Sequence, residues 1–407
     1  MGKSTWQPLA SARLERTCGT AGRRTALDNE GHVRMKKLHL VGIGLITACL
    51  LLTASCAQAP QASQQSTSQA SSQSAAQEPE TVDEGVNTQI TVSYGGNHAG
   101  NAGYFLSKGD SVAVISPSAL PSQEQVDAVV AGLKGWGYAP VEGKHVTQQD
   151  RTLADCVEDL TWALQDPTVK AVFCVRGGYG ASEVMDAMQL DLIARASKPV
   201  IGYSDITTLH SAWTRAGLPS VHASMSAAFD DFPQECAEAE QRMLAGETPA
   251  YTCKGSGFDK QGKAEGVLIG GNLSTFTSVL GTAWDCTQTD QPYILFLEDV
   301  GEDVQHVHRY IAILKHLGVL DRASGIVFGE WTEVPTDMDD YDGSSRGGTF
   351  ASTNEMIARQ YLAGLDCPVA FGFPAGHGDN NYPLLMGATA QLDVADGGFT
   401  ISWSPGE

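Results

Sequence analysis

The chain has 407 residues, 47 of them acidic and 26 basic, for a formal charge of −21. An acidic body repels phosphate backbones, and no basic stripe with interleaved aromatics interrupts it, so nucleic acid is excluded as a partner class. Once an N-terminal stretch unable to form a core is set aside, the remaining length suits two ordinary domains.

Residues 1–34 read as a mis-set start or unstructured leader. Lys36 and Lys37 open a short basic region, and 38–52 are almost wholly apolar, about the length of a signal peptide and short for a membrane span. Thr53-Ala54-Ser55-Cys56 places small residues before a cysteine, as in a bacterial lipobox. Residues 35–55 are therefore expected to be a lipoprotein signal peptide. Cys56 is expected to be the lipidated mature N-terminus, anchoring the chain on the extracytoplasmic face of a membrane. Residues 56–105 are rich in Gln, Ser, Ala and Gly and poor in large apolar residues, so a disordered tether is expected, with a mean reach of roughly 40 Å.

From residue 111 strands and helices alternate. Strands are expected near 111–116, 169–175 and 199–203, and helices near 122–134, 152–165, 181–188 and 206–216. Short connections between them indicate a parallel sheet covered on both faces, with functional loops at the strand C-termini. This nucleophile domain is placed at 106–230. The polar stretch 231–262 reads as an interdomain connection. A second domain, 263–407, follows with strands near 264–268, 293–297, 325–329, 369–372, 388–394 and 399–403, and helices near 273–280, 304–317 and 353–362. Its late strands look partly antiparallel, which makes it mixed α+β. Of the six cysteines after Cys56, only Cys236 and Cys253 are placed to be considered as a bridge; no Cys/His spacing suggests a metal site.

Three segments end on the parts of an acyl-transfer triad. Pro199-Val200-Ile201-Gly202-Tyr203 is an apolar strand running into Ser204 and then a helix. Such a serine is either a nucleophile on a tight turn or a plain helix cap. Ile294-Leu295-Phe296-Leu297 delivers Glu298 at a strand end, where Asp299, Glu302 and Asp303 compete for the orienting role and Glu302 is a candidate cap of the next helix. His377 stands between glycines in a loop opened by Pro374, whereas His210 and His222 read as structural. Arg176-Gly177-Gly178-Tyr179-Gly180 lies between a strand and a helix, and lacks the Lys-Ser/Thr of a phosphate cradle. Asn272 precedes a helix and reads as its cap. Asp337-Met338-Asp339-Asp340 mimics a calcium loop with wrong ligand spacing and reads as a solvated insertion.

Taken in order, Val175-Arg176-Gly177-Gly178-Tyr179-Gly180, Ile201-Gly202-Tyr203-Ser204-Asp205-Ile206-Thr207, Gly270-Gly271-Asn272-Leu273-Ser274 and Pro374-Ala375-Gly376-His377-Gly378 resemble the LD-carboxypeptidases of serine peptidase family S66. The resemblance runs from about 108 to 402. It departs at His222-Ala223-Ser224 and Leu384-Leu385-Met386-Gly387, where His-Gly-Pro and Leu-Pro-Leu-Gly are common. It implies a Rossmann-like N-terminal domain and a swivelling β/β/α C-terminal domain, with the site between them. It also implies Ser204 as nucleophile, His377 as base and Glu298 as the orienting acid. The oxyanion hole is implied to come from the backbone of Gly177 or Gly178 and of Asp205, and substrate contacts from Asn272 and Arg176. No metal or cofactor is implied. The expected activity is release of the terminal D-alanine from a muropeptide tetrapeptide stem. The rivals are the microcin-immunity branch of the same family and an inactive lipoprotein that binds cell-wall peptides. A homodimer is left open.

Overall fold

The computed structural model describes residues 90–97, 105–229, 232–334 and 352–403, all within one unit spanning Gln77–Glu407. The leader, the signal segment, Cys56 and the Asp337 loop lie outside the described residues.

The strands and helices follow in chain order. The first part holds β1 (Ile90–Asn97), β2 (Ser111–Ile115), α1 (Gln123–Gly135), β3 (Ala139–Glu142), α2 (Leu153–Gln165), β4 (Val169–Cys174), α3 (Ala181–Asp186), α4 (Leu190–Ala196), β5 (Val200–Gly202), α5 (Thr207–Arg215) and β6 (Ser220–His222). Then come α6 (Gln234–Leu244), β7 (Glu247–Lys254), β8 (Gly262–Asn272), α7 (Leu273–Val279), β9 (Tyr293–Val300), α8 (Val304–His316), α9 (Val319–Arg322) and β10 (Gly325–Thr332). The last elements are α10 (Thr353–Ile357), β11 (Val369–Phe371), β12 (Leu384–Met386), β13 (Thr389–Ala395) and β14 (Gly398–Trp403). Side-chain caps open α1 and α2, where Ser122 and Thr152 form capping boxes with Gln125 and Asp155.

Two sheets result. The six-stranded sheet runs β12-β6-β5-β4-β2-β3 and is parallel except at its β12 edge. Strand order reverses between β2 and β4, and a ligand crevice forms beyond the strand ends at such a switch point. The eight-stranded sheet runs β1-β7-β14-β13-β8-β9-β10-β11; β8, β9, β10 and β11 are parallel and the remaining pairs antiparallel. Period-two alternation feeds two cores that each draw on both sheets. Val172, Cys174, Leu295 and Leu297 enter one, and Ala171, Phe173, Ile294 and Phe296 the other.

Three expected boundaries are corrected. The tether was expected to run to 105, but Ile90-Thr91-Val92-Ser93-Tyr94 alternates apolar and polar and pairs antiparallel with β7 as an edge strand. The stretch 231–262 is not merely a connection, because it forms α6 and supplies β7 to the larger sheet. Residues 384–386, counted with the second domain, return to the first sheet through β12, whose Leu384 pairs with His222. β1 sits at a sheet edge, β12 has three residues and β7 lies in a polar stretch, so their apolar patterns are weak. Cys236 and Cys253 are buried free thiols, not a bridge; the Cys236 thiol instead points to Asn380 Oδ1 at 3.9 Å.

Candidate active site

Ser204 stands immediately after β5 with φ +64°, a left-handed conformation that costs a non-glycine residue about 1–3 kcal/mol. It opens a short 3₁₀ turn, Ser204–Ile206, that leads into α5. This sharp strand-to-helix turn presents the hydroxyl at the sheet's C-terminal edge. Gly202 makes the turn possible: its φ is +153°, and a Cβ there would press on Ile206 Cγ1 at 3.0 Å and Cys174 Cβ at 3.2 Å. Buried His210 fixes the same turn from behind, its Nε2 2.8 Å from the Gly202 carbonyl and its Nδ1 2.8 Å from Ser220 Oγ. Burial pushes that imidazole down to about 4, so it stays neutral, as the structural reading of His210 requires.

The glycine loop after β4 closes on the nucleophile. A Cβ on Gly177 would sit 2.9 Å from Ser204 Cβ, 3.1 Å from its Oγ and 3.4 Å from the Asp205 amide nitrogen. Only hydrogen fits there, so the loop backbone and the Asp205 amide flank the hydroxyl, the arrangement an oxyanion hole needs. Gly178, at φ +113°, lies against Ala119. The Asp205 side chain ties these pieces together. It accepts from Ser118 Oγ at 2.7 Å, beyond the end of β2, and from the Ala181 amide at 2.9 Å, at the start of α3. Burial raises its carboxyl above the usual range and those two bonds oppose the shift. Arg151, from the loop before α2, grips the Ser116 and Ser118 carbonyls at 2.9 and 2.6 Å. Nothing in the local sequence marked Ser118 or Arg151; only the fold brings them here.

The candidate acid comes from the other sheet, and the candidate base meets it there. Glu298, fully buried near the end of β9, accepts from His377 Nδ1 with 2.8 Å between Oε2 and the nitrogen. A carboxylate acceptor on Nδ1 leaves Nε2 as the basic nitrogen. Burial alone would depress the imidazole, but the Glu298 charge and hydrogen bond, with Asp299 beyond, overcome it and raise the group above its ordinary value. Gly376 permits the contact: its φ is +129°, and a Cβ would lie 2.5 Å from Glu298 Oε2. The Gly376 amide donates to Asn381 Oδ1 at 3.1 Å, which holds the loop. Tyr203, beside the nucleophile, packs its ring 4.8 Å from the His377 ring, so the base lies over the serine turn.

Geometry separates the candidates for the orienting role. Asp299 faces away from His377, accepting from Asn272 Nδ2 at 2.7 Å and from the amides of Ser274 at 3.0 Å and Val300 at 2.9 Å. Burial first, then the Glu298 charge, pushes Asp299 up to about 6. Asp303, rather than Glu302, caps α8 by accepting from the His306 amide at 2.8 Å. Asn272 takes the cap reading: its Oδ1 accepts from the Thr275 amide and Ser274 Oγ. Its Nδ2 donates to Asp299 and 4% of its surface is exposed, an arrangement that suits a positioning role. The Asn272 amide also donates to Thr207 Oγ1 at 3.0 Å, joining β8 to the start of α5. Arg176 is partly buried and donates to the Leu120 carbonyl at 3.3 Å.

Contrary to the expectation of no metal-like cluster, His145, Asp155 and Glu158 place ligand atoms within 4.8 Å of one another. Loop and helix residues build this group, so spacing did not show it. His145 Nδ1 is engaged by Gln148 at 2.7 Å and Glu158 by Lys144 at 3.2 Å, and no triad member belongs to it.

Comparison with known proteins agrees with this geometry. The family model of the LD-carboxypeptidase N-terminal domain matches residues 112–223, and that of the C-terminal domain residues 265–392. The murein tetrapeptide carboxypeptidase of Pseudomonas aeruginosa is 31% identical over 69% of this chain and 92% of its own. The microcin C7 self-immunity protein of Escherichia coli is 22% identical over 73% of this chain and 94% of its own. The crystal structure of muramoyltetrapeptide carboxypeptidase from Oxalobacter formigenes superposes with a TM-score of 0.64 at 24% identity, covering 73% of this chain and 99% of that one. The chain belongs to the LD-carboxypeptidase family of serine peptidases, with the mixed α/β fold of that family and the activity class of a carboxypeptidase.

Proposed function

We propose that this carboxypeptidase releases the terminal D-alanine from the tetrapeptide stem of muropeptides, using Ser204, His377 and Glu298. The observation that carries the reading is the 2.8 Å contact of His377 Nδ1 with buried Glu298, set over a serine held at positive φ against Gly177. His377 Nε2 takes the proton of Ser204 Oγ, which attacks the carbonyl of the L,D bond. The amides of Asp205 and of Gly177 or Gly178 receive the developing oxyanion. The imidazolium then protonates the leaving amine, and water, activated by the same nitrogen, hydrolyses the acyl-enzyme. Arg176, half-buried beside the glycine loop, is the candidate for the stem's C-terminal carboxylate, since a guanidinium pairs with a carboxylate. The similarity to a murein tetrapeptide carboxypeptidase supports the substrate class.

The signal-like segment before Cys56 supports a lipid anchor that sets location alone. Cys56→Ala then releases a soluble enzyme with unchanged turnover on free stems, and labelled lipid follows the wild type only.

The rival substrate is a peptidyl nucleotide. Of the aromatics in 231–262, Tyr251 is wholly buried and Phe258, partly buried, meets Phe371 edge-on. Phe232 alone reaches the site, 6.4 Å from the Tyr203 ring. Incubation of the purified protein with defined tetrapeptide stems, pentapeptide stems and aminoacyl sulfamoyl nucleotides, read by mass, decides the matter. Loss of one alanine from the tetrapeptide is expected; cleavage of the nucleotide alone overturns the reading, and no turnover of any substrate favours the binding lipoprotein.

A further inference from the structure

The loop that carries His377 rests on a carboxyl group that the triad does not use. Glu330 lies within the irregularity in β10 between Phe328 and Trp331, one strand over from Glu298. Both of its carboxylate oxygens are sealed from solvent without a hydrogen-bond partner. A Cβ on Gly378, the residue after His377, would overlap Glu330 Oε2. The backbone of Gly378 is not in the left-handed region, so conformation does not require glycine there. Glu330 does, because its carboxyl fills the space that a side chain would take.

The charges around Glu330 are unfavourable to an anion. Asp379 faces it from the loop and Glu298 from β9, while Cys236 approaches from α6 with its thiol pushed up to about 11 by burial and therefore neutral. Burial first, then Asp379 and Glu298, pushes the Glu330 carboxyl up to about 7. An ionised Glu330 would be an unpaired buried charge beside two other carboxylates, which favours any movement that lets water reach it.

We propose that Glu330 is a positioning residue for His377: as a neutral acid it packs beneath Gly378 and holds the 376–380 loop so that His377 meets Glu298, and on losing its proton to solvent it loosens that loop. The alkaline side of the pH range is thereby closed by a group that never touches substrate. The inference rests on His377 as the base, so two of its tests need no turnover.

The full-length wild type is compared with Glu330→Gln, Gly378→Ala and the double variant Glu330→Ala/Gly378→Ala. A carboxyl whose folded value lies above its unfolded one loses its stabilising contribution as pH rises through that folded value. The melting temperature of Glu330→Gln should therefore gain on the wild type from about pH 5 to about 7 and hold the gain above. Imidazole NMR should show a second step in the His377 signals near neutral pH in the wild type, absent from Glu330→Gln. With the tetrapeptide stem, the ratio of variant to wild-type kcat should rise about tenfold between pH 7 and 8.5, with KM unaffected. Gly378→Ala should lower kcat, and removing the Glu330 carboxyl should restore it. Parallel melting curves at every pH, a second NMR step surviving in Glu330→Gln, or a harmless Gly378→Ala overturn the proposal. A wild type that shows both pH effects but releases no D-alanine sinks the substrate reading and leaves this one standing.

Discussion

The two halves of the site are built by different physics. The nucleophile half, Gly177 to Ala181 and Gly202 to Thr207, is held by backbone: a strained serine, glycines without room for a methyl, and amides aimed by short turns. The base half, Glu298 with 374–382, is held by a buried side-chain pair whose charge fixes a tautomer. A backbone-built half tolerates changes of charge and fails on added volume. A charge-built half tolerates little change of charge.

The largest effect tests the nucleophile itself. Ser204→Ala should reduce kcat by roughly 10⁵–10⁶-fold while leaving the fold intact, since losing the triad serine leaves only oxyanion and binding contributions. Because alanine is no happier than serine at φ +64°, the melting temperature should not rise appreciably. Turnover within a hundredfold of the wild type would remove the serine mechanism.

Glu298→Gln comes next, with a kcat loss of roughly 10⁴ expected from the wrong tautomer and the unstabilised imidazolium. The sign of its pH effect is fixed by the same contact. His377 must be neutral to act as base, and its pKa is raised, so wild-type activity should climb with pH through a value above the ordinary 6.5. Without the Glu298 charge, burial dominates and the acid limb of the residual activity should move to lower pH. The imidazolium's contribution to stability runs the same way: it is full below about 6.5 and is lost as pH rises through the raised folded value. Matched pH titrations of kcat/KM and of melting temperature check both; an unmoved acid limb would break the account of the base half.

Gly177→Ala probes the backbone-built half by volume alone. Its methyl would press on Ser204 and the Asp205 amide, and the displaced oxyanion donors should cost on the order of 10²–10³ in kcat. KM should change little, since the damage falls on the transition state.

How much of this was visible beforehand follows from the same division. The three triad candidates stand at ends of strongly apolar strands or between glycines, so local pattern put Ser204, Glu298 and His377 on a short list and the family resemblance singled them out. The glycine loop was legible for the same reason, because a backbone approach leaves a mark in the residue type. Ser118, Arg151 and Glu330 left none. Each acts across a sequence gap that only the sheet order closes, as with Ser118 and Asp205 meeting from the ends of β2 and β5. Asn272 shows a further limit: a cap and a substrate ligand call for the same residue type before a helix, and the cap shows only in its bonds to Thr275 and Ser274. At fold level, β1, β3, β6, β7 and β12 went unread because they are short strands or lie in polar stretches, and their pairing partners are not adjacent in sequence.

The smallest expected effect separates what Asp205 does through its backbone from what it does through its side chain. Asp205→Asn keeps the amide that faces Ser204 Oγ and one acceptor oxygen, but loses the charge that strengthens the bonds to Ser118 Oγ and the Ala181 amide. Burial opposes that charge, as the raised carboxyl shows, so removing it also relieves a desolvation cost. Burial is the larger of the two, so the stability change near neutral pH should stay within about 1 kcal/mol, the scale of one buried bond. The raised folded value sets the sign with pH: the wild type loses stability as pH rises from the ordinary carboxylate range through that value, so the variant should gain on it over that span. Because the oxyanion donor is untouched, kcat should fall less than tenfold, far less than for Gly177→Ala. A loss as large as that of the glycine variant, with the melting temperature preserved, would mean that the side chain aims the oxyanion hole and that the nucleophile half is charge-built after all.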